Sequence, residues 1–322
     1  MQINRIAGGV VGLGLGMAGM ANAQSQLGLY NVITKGRFDS SSDVEGKVVA
    51  YSLGYSSATF AQNLAGSGAQ DINVAVQTGL FLGNPLNISY GSMYAPWSLF
   101  RTVNFNQSGA GLNTGASFDF NTVFNGITAE SATYSGYTTT GGASWDSSRN
   151  IETLKVTKLG AGGAAVFNIG ASDLNRANES LALNLNGLNP TAIIINVNAS
   201  TFTGNSSDYW GLNQFQSLAT KVLWNFYNAT SVTLNGDWYG SVLAPNAALT
   251  SQSTITGSVG ANSFSTQGEV HLAPWTGVPE ASSLAAIGFA GLCVTWTLVR
   301  RRNETGGRTV SPRRLGALSQ HS

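Results

Sequence analysis

Hydrophobic and β-branched residues occur in short runs along most of the chain, separated by Gly, Asn, Ser and Thr. Short runs bounded by such turn-forming residues predict β-strands. The clearest predicted strands cover residues 28–35, 73–81, 165–169, 181–185 and 191–198. The last of these contains Ile193, Ile194 and Ile195, whose branched side chains favour a pleated strand. The hydrophobic pattern therefore indicates an all-β protein.

One segment has a helical period instead. Its apolar residues recur at steps of three and four positions, at Leu212, Phe215, Leu218, Val222 and Phe226. This spacing predicts one accessory helix over residues 211–226 that sits against or caps the β body. Within residues 90–146, which are rich in Gly and Thr, the pattern assigns no strand register.

A short motif recurs along the chain, with a Gly two residues before a Val and strand formers on both sides. The three copies are Gly46 with Val48, Gly240 with Val242, and Gly257 with Val259, and the last two glycines are 17 residues apart. That spacing fits one coil of a β-solenoid, in which each strand hydrogen-bonds to the coils above and below it. We therefore predict a β-solenoid body, resembling a parallel β-helix, in which N-terminal strands complete a helix built mostly by the C-terminal part. An antiparallel β-sandwich whose hairpins share the motif is the alternative.

Composition supports export from the cytoplasm. Only 10% of the 322 residues are charged, and 40 are Gly; about 25% charged residues is usual. The single cysteine, Cys293, lies in a C-terminal apolar run, so the body has no disulfide and no cysteine ligand for a metal. Residues 24–280 carry a net charge of about −5, which disfavours a nucleic-acid partner.

The N-terminal 23 residues predict a secretory signal peptide. Arg5 precedes an apolar stretch, and Ala21 and Ala23 form an A-x-A cleavage site before Gln24. We therefore expect cleavage after Ala23 and a mature body that begins at Gln24.

The C-terminal region predicts a membrane helix over residues 282–299, an uncharged and mostly apolar segment of 18 residues. Arg300, Arg301 and Arg302 follow it directly and act as a stop-transfer cluster that stays in the cytoplasm by the positive-inside rule. The body is then exported, in agreement with the signal peptide, and residues 303–322 form a disordered cytoplasmic tail. An ordinary C-terminal anchor has the same features.

The order of segments around this helix is more specific. Val278, Pro279, Glu280, Ala281 and Ser282 are followed by the apolar run and then by the arginines. Residues 277–302 resemble the PEP-CTERM sorting signal of Gram-negative bacteria, with Ala281 where that family usually has a second Pro. The resemblance implies processing by exosortase, transient anchoring in the inner membrane, and delivery to the cell surface or to the extracellular matrix of a host that makes exopolysaccharide.

Two parts of the body carry a second resemblance. Residues 221–234 and 240–247 near the C-terminus, with residues 30–36 and 41–46 near the N-terminus, are similar to the choice-of-anchor A family. The resemblance spans about residues 27 to 275 of the predicted β domain, residues 24–276. It implies an adhesive surface domain of solenoid type. It implies no catalytic residues.

Residues that could carry chemistry are few. The body has one histidine, His271, and no Gly-x-Ser-x-Gly, HExxH or P-loop motif. Asp43 and Glu45 are two apart on a strand and could act as an acid pair on sugars, or could bind Ca²⁺ together with Asp39. A solubilising edge and a solvated acidic loop are the alternatives.

Aromatic residues are the other candidates for ligand contact. Adjacent residues of a strand point to opposite faces, so one member of the pair Tyr209-Trp210 and one of the pair Trp238-Tyr239 can be exposed to a glycan. We select Trp210, Trp238 and Tyr239 as candidates, with core packing as the alternative.

These features predict a non-enzymatic surface or matrix protein that adheres to exopolysaccharide or to another cell-surface glycan, as in a biofilm. An extracellular polysaccharide hydrolase or lyase on a β-solenoid is the alternative. An ice-binding-like solenoid requires a flat face of regularly spaced Thr, and Thr250, Thr254 and Thr256 are too few to form one.

Overall fold

The computed structural model describes residues 24–56, 58–80, 85–96, 102–115, 117–174, 180–204 and 213–278. They contain three α-helices and 21 strands. The helices are α1 (Gln26–Leu29), α2 (Phe120–Ser135) and α3 (Asn213–Gln216). The strands before α2 are β1 (Val32–Ser40), β2 (Val48–Ser56), β3 (Thr59–Phe60), β4 (Ile72–Leu80), β5 (Leu86–Ile88), β6 (Ser92–Tyr94), β7 (Val103–Phe105) and β8 (Leu112–Asn113).

The remaining strands follow α2. They are β9 (Gly141–Asp146), β10 (Ile151–Val156), β11 (Ala165–Gly170), β12 (Ser180–Asn184), β13 (Ile193–Asn198), β14 (Thr201–Gly204), β15 (Val222–Asn225), β16 (Ser231–Leu234), β17 (Trp238–Tyr239), β18 (Ser241–Ser251), β19 (Ile255–Thr256), β20 (Val259–Thr266) and β21 (Val270–His271).

The strands form a parallel β-solenoid. One 12-stranded sheet has the order β11-β13-β15-β18-β20-β1-β2-β4-β6-β8, with β14 and β16 paired beside β18. Every pair in this sheet is parallel; among the named strands, only β9 and β10 pair antiparallel. Parallel pairing confirms the predicted solenoid and excludes the antiparallel sandwich.

The solenoid has three faces. Register shifts divide β1, β18 and β20 into two segments. The first face consists of the first segments together with β11, β13, β15 and the starts of β2, β4, β6 and β8. The second face consists of the second segments together with β14 and β16. Short strands form the third face in two sheets, β17-β19-β21 and β3-β5-β7, which Val44 links by bridges to Val270 and Phe60.

The strand order places β1, the first strand of the chain, in the middle of the solenoid. Numbers rise from β11 to β20 along the sheet, restart at β1 and rise again to β8. We call the junction of the β20–β21 coil with the β1–Val44 coil the seam. Val32 of β1 lies opposite Val259 on one side and Val48 on the other, so two Gly-x-Val copies flank this strand, as expected for N-terminal strands that complete the helix. The third copy follows one strand further, with Val242 opposite Val259.

Helix α2 leads the chain from the β8 end of the large sheet back towards its β11 end. Its Phe120, Phe124 and Ile127 pack on outward-facing Ile33 and Leu243 of the first face. Sixteen helical residues span about 24 Å, or about five strand spacings. This helix therefore covers about half of the first face, while outward-facing residues of the second face such as Thr201 and Thr250 are exposed.

Asparagine side chains fix α2 at one end. Asn225 Nδ2 donates to Asn196 Oδ1 and Asn196 Nδ2 donates to Asn168 Oδ1, both at 2.8 Å, in one register across β15, β13 and β11. Ser131 of α2 donates its hydroxyl to Asn225 Oδ1 at 2.6 Å. The ladder satisfies buried amides and ties α2 to three coils.

The two ends of the described chain meet beside α2. Glu130 accepts hydrogen bonds from the backbone N–H of Gln26 at 2.6 Å and from the Ser25 hydroxyl at 2.7 Å, and burial raises the pKa of its carboxyl group. Trp275 donates its backbone N–H to the carbonyl of Leu27 at 3.2 Å. The residues next to the predicted signal-peptide cut thus lie beside those that precede the predicted sorting motif.

The position of the predicted accessory helix is wrong. Within the described part of residues 211–226 the chain forms only α3, a 3₁₀ turn (Ala219–Lys221) and then strand β15. Val222, Leu223, Trp224 and Asn225 are all buried, because this segment has neighbours on both sides of the sheet and its apolar residues need no helical face. The strand predicted at residues 28–35 also starts later, since α1 precedes β1.

Candidate functional site

The second face carries two rows of small polar side chains. Four strands, β14, β16, β18 and β20, pair in register there, so Thr201, Ser231, Ala248 and Ser263 form one row and Thr203, Thr233, Thr250 and Ser265 form the other. Neighbouring strands are about 4.8 Å apart, so each row repeats at that interval. We call the seven hydroxyl-bearing residues of these rows the hydroxyl ladder.

Alternation along the strands produces the ladder. The residues between its members, Phe202, Val232, Leu249 and Phe264, point inward and are buried in the core. The ladder residues point outward; Thr233 and Ser263 are half-buried and the other five are exposed. A packed core on one side thus holds an ordered polar surface on the other.

The hydroxyl groups of the ladder are largely unused by the protein. Six of them make no hydrogen bond to another described residue: Thr201, Ser231, Thr233, Thr250, Ser263 and Ser265. By contrast, Ser251 and Thr266 on the same strands donate to carbonyls of Ser253 and Gly268 at 2.7 and 2.8 Å. The outward hydroxyls are therefore available as donors and acceptors for a ligand or for water.

An ion pair ends the ladder at the seam. Asp39 of β1 lies opposite Ser265, and its carboxylate accepts hydrogen bonds from Arg37 Nε and Nη2 at 2.7 Å. Gly54 of β2 lies beneath the pair, and a Cβ atom there would overlap Arg37 Nε. The opposite charges cancel on the surface of the face.

Tyr51 lies on the corner next to this ion pair. It stands in β2 between Ala50, which pairs with Thr34, and Ser52, which pairs with Arg37. Its side chain is 42% exposed, and it is the one aromatic residue among the strongly exposed large apolar residues that the structure describes. Sequence analysis missed Tyr51, because the register shift at this corner hides its direction.

The aromatic candidates from the sequence have other positions. Trp238 is 1% exposed and packs in the core against Trp224, with ring centroids 4.8 Å apart, so its prediction as a ligand contact is wrong. Tyr239 is half-buried, and its carbonyl accepts a hydrogen bond from Trp224 Nε1 at 3.0 Å. Trp210 lies outside the described residues.

The carboxylates considered for Ca²⁺ are not brought together. Asp39 pairs with Arg37, Asp43 accepts hydrogen bonds from Thr59 N and Gln62 Nε2 at 2.7 Å, and Glu45 accepts one from Leu272 N at 2.7 Å. No group of three His, Cys, Asp or Glu side chains suited to a metal ion occurs in the described ranges. The Glu45 side chain instead connects the two coils at the seam, and the Asp43 side chain connects the β1–Val44 coil to the coil of β3. These hydrogen bonds also occupy the two carboxylates that were considered as an acid pair.

Most of the predicted processing sites lie outside the residues that the structure describes. Ala21 and Ala23 of the signal cleavage site, Pro279 to Ser282 of the sorting motif, the helix at 282–299 and Arg300 to Arg302 lie outside the described residues. Val278 is described, and it packs half-buried beneath α2. Within the described ranges, no helix combines the length and the apolar character needed to cross a bilayer.

The described strands form a β-solenoid whose second face presents ordered rows of outward hydroxyls. The chain belongs to the family described as "Putative Ice-binding-like adhesive domain", whose model matches residues 23–272. A solved structure titled "Crystal structure of an ice binding protein from an Antarctic Biological Consortium" is similar over 78% of this chain and 89% of that chain, with 13% identity and a TM-score of 0.34. No curated protein matches the chain.

Proposed function

We propose that the protein is an exported, non-enzymatic adhesin that binds exopolysaccharide or another cell-surface glycan through the hydroxyl ladder. The observation that carries the proposal is the set of six outward hydroxyls, in two regular rows, that have no partner among the described residues. The adhesive family supports the same class of function.

Adhesion follows from the number and the order of these groups. A single hydrogen bond contributes only about 0.5–1.5 kcal/mol net. A rigid array presents several to one polymer at once, so that each bond after the first forms at high effective concentration. Catalysis instead needs converging acids, and Asp43 and Glu45 are both occupied by backbone N–H groups.

Removing the central hydroxyls tests this proposal. The double variant Thr233→Val and Thr250→Val keeps the β-branched shape and removes two adjacent donors. We expect about tenfold weaker binding to exopolysaccharide purified from the producing strain, by loss of about two hydrogen bonds. Thr256→Val on the third face is the matched control. Unchanged binding by the double variant, or an equal loss in the control, would contradict the proposal.

Ice is the second candidate ligand, because the ladder presents hydroxyls at regular strand intervals and the family is described as ice-binding-like. The same variants separate the two ligands. Thermal hysteresis by the wild-type protein that the double variant loses, together with absence of glycan binding, would favour ice. Glycan binding without thermal hysteresis favours the adhesin.

The export pathway that we propose uses the signal peptide, transient inner-membrane anchoring and exosortase, and ends at the cell surface or in the matrix. The compact unit that holds every described element ends at Val278, directly before Pro279. We expect mass spectrometry of the protein recovered from the matrix to find an N-terminus at Gln24 and a C-terminus close to Pro279-Glu280. A mature protein that retains residues 282–302 would instead indicate a stable membrane anchor.

A further inference from the structure

We infer that the hydroxyl ladder selects an uncharged polysaccharide and that Tyr51 stacks on a sugar ring of that polymer where the ladder ends. The inference rests on the proposed glycan adhesion and specifies its ligand class and a contact residue. Three features of the described residues carry it: the charge of the second face, the exposure of Tyr51, and the direction of the rows.

Among the described residues, the rows of the hydroxyl ladder and the ion pair beside them offer no unbalanced charge to an acidic polymer. The ladder residues are all Ser and Thr. At the end of the ladder, Arg37 donates two hydrogen bonds to the Asp39 carboxylate, from Nε and from Nη2. The nearest other cation on β1, Lys35, donates to the Thr128 hydroxyl of α2 at 3.4 Å. With a body that is acidic overall, a uronic-acid polymer is repelled, while a neutral polymer meets only hydrogen-bonding groups.

Tyr51 is held where a ring can be used. Its carbonyl accepts a hydrogen bond from the Thr78 hydroxyl at 3.0 Å, and the strands on both sides pair with β2, so the backbone at this corner is fixed. A tyrosine on a fixed backbone offers a large flat contact area at a low cost in side-chain entropy. The exposed ring therefore supplies the apolar contact that the hydroxyl ladder lacks.

The direction of the rows selects an extended polymer. They run across the strands, along the solenoid axis, from β14 through β16, β18 and β20 to the ion pair on β1. On β2 the residue opposite Arg37 is Ser52, and Tyr51 directly precedes it at the corner. Five strand spacings make this track about 24 Å long. A polysaccharide chain lying along it contacts hydroxyls on four successive coils before it reaches the aromatic ring.

The test uses the mature protein purified from the producing strain. Its ligand is the strain's own exopolysaccharide, separated by anion exchange into neutral and acidic fractions. We expect binding to the neutral fraction, with an affinity that changes less than about twofold between about 0.1 and 1 M salt, over which the Debye length falls from about 10 to 3 Å. Tyr51→Ala should weaken that binding about fivefold or more, and Tyr51→Phe should retain it. Leu159→Ala, which also truncates an exposed apolar side chain, is the matched control and should leave binding unchanged.

The outcomes distinguish a failure of this inference from a failure of the proposed glycan adhesion on which it rests. Binding to the acidic fraction, with an affinity that falls as salt rises, would keep glycan adhesion and overturn the neutral ligand. Neutral binding that Tyr51→Ala leaves intact would overturn the role of Tyr51. Failure of both fractions to bind the wild-type protein would overturn the proposed function itself.

Discussion

Replacing Trp238 by Ala is expected to lower the free energy of unfolding by about 4 kcal/mol, the loss typical of a large aromatic side chain removed from a packed core. Trp238 is fully buried beside Trp224 and Phe202, at ring-centroid distances of 4.8 and 6.3 Å. The variant leaves a cavity among rings of neighbouring coils. Denaturant unfolding of the purified protein, followed by circular dichroism, measures the change.

Two comparisons make this result specific. Trp238→Phe keeps a ring in the core and should recover part of the lost stability, while Tyr239→Ala, at the half-buried neighbouring position, should cost less. A Trp238→Ala protein with the wild-type unfolding midpoint and reduced glycan binding would reverse our conclusion and restore Trp238 as a ligand contact.

Replacing Asn31 by Ala is expected to cost about 3 kcal/mol, because buried backbone groups at the seam lose their partner. Asn31 is 1% exposed. Its side chain accepts a hydrogen bond from Gly46 N at 2.9 Å and donates to the carbonyls of Gly257 and His271 at 2.7 and 3.3 Å. One amide therefore joins both halves of the solenoid. Urea unfolding of the variant gives the change.

The matched control for Asn31 is Asn104→Ala. Asn104 is exposed and makes one side-chain hydrogen bond, to Asn87 Oδ1 at 3.0 Å. We expect that variant to unfold within about 0.5 kcal/mol of wild type. Equal losses in the two variants would show that the seam has no special dependence on Asn31.

Local pattern predicted many elements correctly. Strands β4, β11, β12 and β13 lie within two residues of the ranges expected from β-branched runs. Gly240 illustrates why the repeat was readable: its φ of +105° favours glycine, and a Cβ there would lie 2.7 Å from Val222 Cγ1 of the next coil. A Cβ at Gly46 or Gly257 would likewise overlap a neighbour, Asn31 or the Gly240 carbonyl, so all three copies of the motif require glycine.

Helical period was less reliable. Residues 211–226 have apolar residues at helical spacing, yet β15 is buried on both sides, where any apolar run is stable. Helix α2 carries its own helical spacing, at Phe120, Val123, Phe124, Ile127, Ser131 and Tyr134, with Asp119 accepting from Thr122 N as the N-cap. That signal lay within residues 90–146, where the high content of Gly and Thr obscured the pattern.

The hydroxyl ladder could not be predicted from the local sequence pattern, for a different reason. Thr250 belongs to the hydroxyl ladder, but Thr256, counted beside it in the sequence, lies in β19 on the third face. The partners of Thr250 are Thr233 and Ser265, on other coils. Only the register between coils reveals that they form a row.

The sequence by itself determined the coil: its short strands, its glycine corners and its cysteine-free, weakly charged composition, because backbone conformation and alternate burial act between near neighbours. The tertiary structure decided where the solenoid closes and which face remains open. Asn31 and Gly257 are 226 residues apart along the chain and hydrogen-bonded at the seam. Helix α2 packs on the first face, and the outward residues of the described second-face strands are largely exposed. Contacts between such distant residues depend on the free energy of packing whole faces together. That free energy cannot be inferred from any short run of residues.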